Sequence, residues 1–257
     1  MTAEVVTMTQ QSRPATGPGA TGGATGPSAT GEATGPSAGP APRRTLSPRP
    51  TGPLNVRESA QSWDAMYSSR DQVFSGAPNP VLVTEVSGLP PGQALDVGCG
   101  EGADAVWLAR HGWQVTAVDI SRVALRRAAA AATDLADRVA WARADLTATP
   151  PPADAFDLVS VQYFPLRHEP DHTALRNLLR AVALGGTLLF VSHDLSGLAP
   201  RPEDGFDPAD YYQPDDMAQL LGPDWTIQSN ETRARTTPPP AGTHHTHDTV
   251  LRARRVR

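Results

Sequence analysis

The 257 residues carry 22 Lys+Arg against 27 Asp+Glu for a net charge of −5, and every one of those cations is an arginine. That balance offers no field to gather polyanions, which excludes nucleic acid as the main partner, and Schiff-base chemistry has no lysine amine to use. The one cysteine rules out an intrachain disulfide and a multi-cysteine metal centre. No apolar run reaches the roughly 18 to 20 residues of a membrane span and the N-terminus lacks a secretory pattern, which points to a soluble, cytoplasmic protein.

Ala-Thr-Gly units recur near the start, at Ala15-Thr16-Gly17, Ala24-Thr25-Gly26 and Ala33-Thr34-Gly35. Such a segment has too little apolar surface to offset roughly 1 to 2 kcal/mol of backbone entropy per residue. Residues 1–54 are therefore expected to be a disordered tail, and 55–257 a single domain. Within that domain, residues 56–67 predict a helix with Trp63, Met66 and Tyr67 clustered at helical spacing, followed by a loop whose turn signal is residues 75–80.

From Ala94 the pattern alternates strand and helix. Residues 94–97 predict a strand, 103–111 a helix stopped by Gly112, and 114–119 a second strand. Ser121 is expected to cap a helix of about fourteen residues, with a third strand over 138–144. Residues 156–161 predict a fourth strand, apolar enough to be buried on both faces, and 171–184 a helix broken at Gly185-Gly186. A fifth strand over 187–192, a short helix after 213 and two strands near 225–232 and 248–254 complete the domain. Strands separated by helices predict an α/β, Rossmann-like doubly wound sheet, mostly parallel, with an antiparallel C-terminal strand pair.

The segment Leu95-Asp96-Val97-Gly98-Cys99-Gly100-Glu101-Gly102 is a glycine-rich turn that leaves a buried strand and opens a helix. Glycines there permit dihedrals and close ligand approach that a Cβ would block. Asp119, ending the next strand, is placed to accept the ribose hydroxyls of a nucleoside cofactor. The glycine spacing is not the Gly-x-Gly-x-x-Gly of a dinucleotide site, and Asp96 and Glu101 would repel a pyrophosphate, since a helix N-terminus supplies only about half a unit of positive charge. S-adenosylmethionine reverses that sign with its ammonium and sulfonium.

Leu95 to Gly102 followed by Val118-Asp119 resembles the first two motifs of class I S-adenosylmethionine-dependent methyltransferases. Within that class, Trp63-Asp64-x-x-Tyr67 and Gly76-x-Pro78-Asn79-Pro80 are similar to the bacterial branch related to tellurite-resistance and thiopurine methyltransferases. The resemblance implies that Asp96, Gly98, Cys99, Gly100 and Gly102 shape the methionine pocket, Cys99 through its backbone only. It further implies that Asp119 holds the ribose, Ile120 lies against the adenine, Asp145-Leu146 read the adenine amino group, and Gln162 closes over the methionine moiety. Trp63 and Tyr67 would cover the cofactor. The chain departs from its relatives at Val73-Phe74, where a tryptophan is expected, so its acceptor pocket can differ.

Methyl transfer needs proximity and alignment first, and a general base only when the acceptor arrives protonated. His168 and Tyr163 are the candidate catalytic residues, with His193 nearby, because they follow the carboxyl ends of the fourth and fifth strands. His244, His245 and His247 share one loop and are expected to be solvated, with no metal. The expected function is methylation of an S, chalcogen, O or N atom of a small molecule. The rivals are a non-catalytic S-adenosylmethionine-binding protein and an NAD(P)-dependent oxidoreductase.

Overall fold

The computed structural model describes residues 56–202, 206–236 and 246–257. The expected tail at 1–54, together with His244 and His245, lies outside the described residues. The strands are β1 (Gln93–Val97), β2 (Gln114–Asp119), β3 (Val139–Arg143), β4 (Phe156–Gln162), β5 (Val182–His193), β6 (Trp225–Ala234) and β7 (His247–Arg255). The helices are α1 (Val56–Ser68), α2 (Pro80–Val86), α3 (Ala103–Arg110), α4 (Arg122–Ala131), α5 (Thr173–Ala181) and α6 (Pro214–Leu220).

All seven strands join one sheet in the order β3-β2-β1-β4-β5-β7-β6. β1 to β5 run parallel, and β7 is antiparallel to both of its neighbours. The chain winds outward from β1 through β2 to β3, then returns to place β4 on the other side of β1. That reversal opens a crevice at the carboxyl ends of β1 and β4, where open α/β sheets bind ligands.

Alternation along β4 shows how the sheet is held from both faces. Val159 and Val161 pack with Leu175 and Leu178 of α5, whereas Leu158 joins Leu108 of α3 and Leu82 of α2. All seven side chains are fully buried, each contributing about 1.5–3 kcal/mol by leaving water.

Three elements differ from the sequence expectation. Pro80–Val86 is a helix, with Pro80 in its first turn after an extended Asn79, so the proline that reads as loop punctuation is a helix start. α5 ends at Ala181, and β5 begins at Val182 and runs through Gly185-Gly186. The pairing shifts between Phe156 and Leu158 where Gly185 adopts φ +81°, so the glycine pair makes a bulge inside a strand rather than a break before one. α4 stops at Ala131, short of the expected length, and one turn of 3₁₀ helix follows over Thr133–Leu135.

Candidate functional site

The turn after β1 rests on three left-handed glycines, Gly98, Gly100 and Gly102, with φ of +69°, +54° and +86°. A Cβ at Gly98 would come within 2.5 Å of the Phe164 ring, and one at Gly102 within 2.6 Å of Trp141, so backbone strain and packing both require glycine. Asp119 ties the turn to the next strand: Oδ2 accepts from the Gly100 amide at 2.9 Å and Oδ1 from the Ser121 amide at 2.8 Å. Burial raises the Asp119 carboxyl above its ordinary value against those amides.

Asp96, on β1 beneath the turn, is 2% exposed, and its Oδ2 has no hydrogen-bond partner. Burial, then the charges of Asp104 and Asp119, push its carboxyl well above the carboxylate range, with only the Ala105 amide pulling the other way. Cys99 is buried and its thiol is raised in the same way, which leaves little thiolate for nucleophilic chemistry.

Asp145 Oδ2 and Gln162 Oε1 are also buried acceptors without a partner. Asp145 spends its other oxygen on the Thr147 amide and hydroxyl, at 3.0 and 2.8 Å. Leu146 beside it is buried in the core with Val97 and Val118, and Ile120 is half-buried at the end of β2.

The N-terminal segment is fastened to this turn by carboxylates. Asp64 of α1 accepts from Ser121 Oγ at 2.6 Å and from the Val123 amide at 3.1 Å, so it shares the cap of α4 with Ser121, whose Oγ accepts from Ala124. Glu101 accepts from the Val73 and Phe74 amides at 3.0 Å each and pairs with Arg127 at 2.9 Å. Its charge is thereby paired with Arg127 and its oxygens are turned to the N-terminal segment, which corrects the expectation that Glu101 stands free beside the turn to repel a pyrophosphate. Asp104 receives the Asn79 amide and side chain, both at 2.7 Å, and fixes the start of α2. Tyr67 is buried with its ring 6.3 Å from Trp63 and 6.0 Å from Phe74, and its hydroxyl would lie 2.9 Å from a Cβ on Gly100.

Tyr163 stands at the carboxyl end of β4 and His193 ends β5, their rings 4.4 Å apart. His168 lies elsewhere, 4.1 Å ring to ring from Tyr212 and 3.5 Å from Asp216 of α6, with 41% of its side chain exposed. The structure thus brings Tyr163 and His193 together and leaves His168 against α6. A cavity of about 440 Å³ opens one residue beyond His193, with Asp194, Gln213, Asp215, Glu231 and Thr249 among its walls. Among the described residues no group of His, Cys, Asp and Glu is arranged to hold a metal ion.

Residues 94–186, which contain the turn, Asp119, Asp145 and Gln162, match the family model described as a methyltransferase domain. These residues are thus similar to a methyltransferase domain and form most of the parallel part of the sheet described above. The cofactor of this domain is S-adenosylmethionine. An uncharacterized methyltransferase of Mycobacterium tuberculosis is 43% identical over 99 residues, 38% of this chain and 49% of the relative. A probable thiol methyltransferase 2 of Arabidopsis thaliana is 32% identical over 149 residues, 54% of this chain and 64% of the relative. The chain thus spans under two thirds of either relative. The N-methyltransferase NodS of Bradyrhizobium japonicum, solved with S-adenosyl-L-homocysteine, shares the fold with a TM-score of 0.59, at 21% identity over 77% of this chain and 99% of that one.

The methyltransferase domain has groups that fit this cofactor. Asp96, Asp145 and Gln162 each present a buried acceptor atom without a donor, and S-adenosylmethionine carries donors in its ammonium and adenine amino groups.

Proposed function

We propose that this protein transfers a methyl group from S-adenosylmethionine to an S, chalcogen, O or N atom of a small molecule in the cytoplasm. The observation that carries the reading is the buried Asp96 Oδ2, without a hydrogen-bond partner, under a glycine turn whose amide is tied to Asp119. In this reading Asp96 and the turn of Gly98, Cys99, Gly100 and Gly102 receive the methionine moiety, and Gln162 borders it. Asp119 takes the ribose hydroxyls on its remaining lone pairs, Ile120 and Leu146 flank the adenine, and Asp145 Oδ2 accepts from its amino group. Trp63 and Tyr67 close the site from α1.

When bound, the cofactor supplies an electrophilic methyl: the acceptor's lone pair bonds the carbon, the sulfur–carbon bond breaks with its electron pair kept by sulfur, and any proton on the acceptor atom leaves to water. The chain's contribution is to hold the two reactants in line and exclude water. Tyr163 is the better-placed of the two candidate catalytic residues, because His168 packs against α6. The similarity of Trp63-Asp64-x-x-Tyr67 to tellurite-resistance and thiopurine methyltransferases, and the thiol methyltransferase among the relatives, bring S and chalcogen into that range of acceptor atoms beside O and N.

The test is a screen of small acceptors with methyl-labelled S-adenosylmethionine and the full chain. Labelled product together with S-adenosylhomocysteine is expected. Tight cofactor binding with no label transferred to any acceptor would instead establish a non-catalytic binding protein.

A further inference from the structure

The carboxyl ends of β4 and β5 and the adjoining ends of β6 and β7 bring together four reactive side chains. Tyr163 Oη donates to Asp248 Oδ2 at 2.9 Å. Arg235 Nη1 donates to Asp248 Oδ1 at 2.8 Å and reaches His193 Nδ1 at 3.2 Å, its guanidinium 5.3 Å from the Tyr163 ring centre. The Asp248 side chain is 3% exposed and that of Arg235 11%. A buried ion pair of this kind is weak as a stabilising device, since apolar residues of similar volume often hold a fold as well.

Tyr163 adds a second oddity. It is a bulky, non-glycine residue at φ +54°, while its amide still continues the sheet to Val191 at 2.8 Å. A strained backbone retained beside a buried, hydrogen-bonded charge pair is the usual mark of a functional site.

The direction of the phenol proton follows from the partners. Although burial raises Asp248, the adjacent His193 side chain, the hydrogen bond from Tyr163 and the Arg235 charge take it below its ordinary range, so it is a carboxylate and can only accept. Burial, then the Asp248 charge, raise the Tyr163 phenol above its ordinary value, so it keeps its proton and donates a hydrogen bond to Asp248. What Tyr163 offers to a ligand is therefore the lone pairs of its oxygen. One residue further along β5 and β7 begins the cavity, whose walls carry the carboxylates of Asp194, Asp215 and Glu231.

We propose that Asp248 and Arg235 are positioning residues that fix the Tyr163 oxygen as a hydrogen-bond acceptor at the methyl-acceptor site, selecting an uncharged acceptor that bears its own proton, an amine or hydroxyl, over a thiolate or carboxylate. This rests on the methyl-transfer reading and narrows it. Tyr163 orients the acceptor atom through its N–H or O–H and keeps its own proton. The acceptor lone pair forms the bond to carbon, the sulfur–carbon electron pair goes to sulfur, and the acceptor's proton is released to water.

The experiment uses the full chain and four probes of one skeleton: aniline and phenol, uncharged at neutral pH, against benzenethiol, largely ionised, and benzoate. Aniline or phenol should be methylated in preference to the two anions. Tyr163→Phe should lower kcat/KM for that probe about three- to tenfold, the loss of one hydrogen bond, with S-adenosylhomocysteine affinity unchanged. Asp248→Asn should cost a similar factor alone and nothing further in the Tyr163→Phe background. Preference for benzenethiol or benzoate, or an unaffected Tyr163→Phe, overturns the inference and leaves methyl transfer standing. Turnover of none of the four overturns this inference, and the methyl-transfer reading itself is decided by the wider acceptor screen.

A readout independent of activity is the tyrosine Fermi doublet in the Raman difference between wild type and Tyr163→Phe. It should show Tyr163 as a strong hydrogen-bond donor, and a doublet without donor character overturns the positioning role even where Asp248→Asn fails to fold.

Discussion

Asp96→Asn is the substitution that most directly probes the cofactor pocket. In the empty protein the Asp96 carboxyl is raised, first by burial and then by Asp104 and Asp119. A raised carboxyl penalises the charged form, so its contribution to stability is lost as pH climbs from the ordinary carboxylate value through the folded value. A ligand ammonium against Asp96 reverses the preference and lowers the carboxyl in the complex. Binding must then expel up to one proton, and affinity for S-adenosylhomocysteine should rise by as much as about tenfold per pH unit between the bound and free values.

Titration calorimetry in two buffers of different ionisation enthalpy, from about pH 5 to about pH 7, where the ligand amino group stays charged, counts that proton. Wild type should release a measurable fraction of a proton, whereas Asp96→Asn should bind more weakly, release none and lose the pH slope. The reasoning fails if wild type binds with flat affinity and no proton release, or if Asp96→Asn keeps the wild-type slope.

S-adenosylhomocysteine at about 100 times its Kd should raise the melting temperature by about 5–11 °C, for a stabilisation of about 2.7 kcal/mol, and Asp119→Ala should cancel most of that shift. Asp64→Ala removes the second carboxylate-held cap of α4 and should cost about 1–2 kcal/mol, read as about 2–8 °C in a thermal melt. His168→Ala should change kcat/KM for any accepted substrate by less than about tenfold, since a general base is worth about 10²- to 10⁴-fold; a loss above about a hundredfold with cofactor affinity intact would restore His168 as the base.

The parts of this domain that the chain announces are those built from near neighbours. The segment from Leu95 to Gly102 is legible because strand, turn and helix are continuous, and Asp119 because a strand end is marked by its own polarity. Pro80 misled because a proline opens a helix as readily as it punctuates a loop, and Gly185-Gly186 misled because a bulge uses the same residues as a break. Glu101 reads as a ligand-facing charge from its place in the turn, yet its partners are the amides of Val73 and Phe74 and the Arg127 guanidinium. The contacts of Asp64, Asp248 and Arg235 carry no local signal: the partners of Asp64 lie 57 and 59 residues away, and Tyr163 is separated from Asp248 by 85. Such contacts are set by the strand order, which the alternation of elements implies only as a class.

The Asp64 cap has a kinetic consequence. α4 begins directly after the strand that ends in Asp119, and the carboxylate that completes its first turn belongs to α1, the same helix that brings Tyr67 over Gly100. Lifting α1 to let a nucleoside in or out therefore also strips two hydrogen bonds from α4. In the proposed site, exchange by that route would be slowed by the same contacts that hold the helix in place, so residence time and helix docking would become one adjustable quantity.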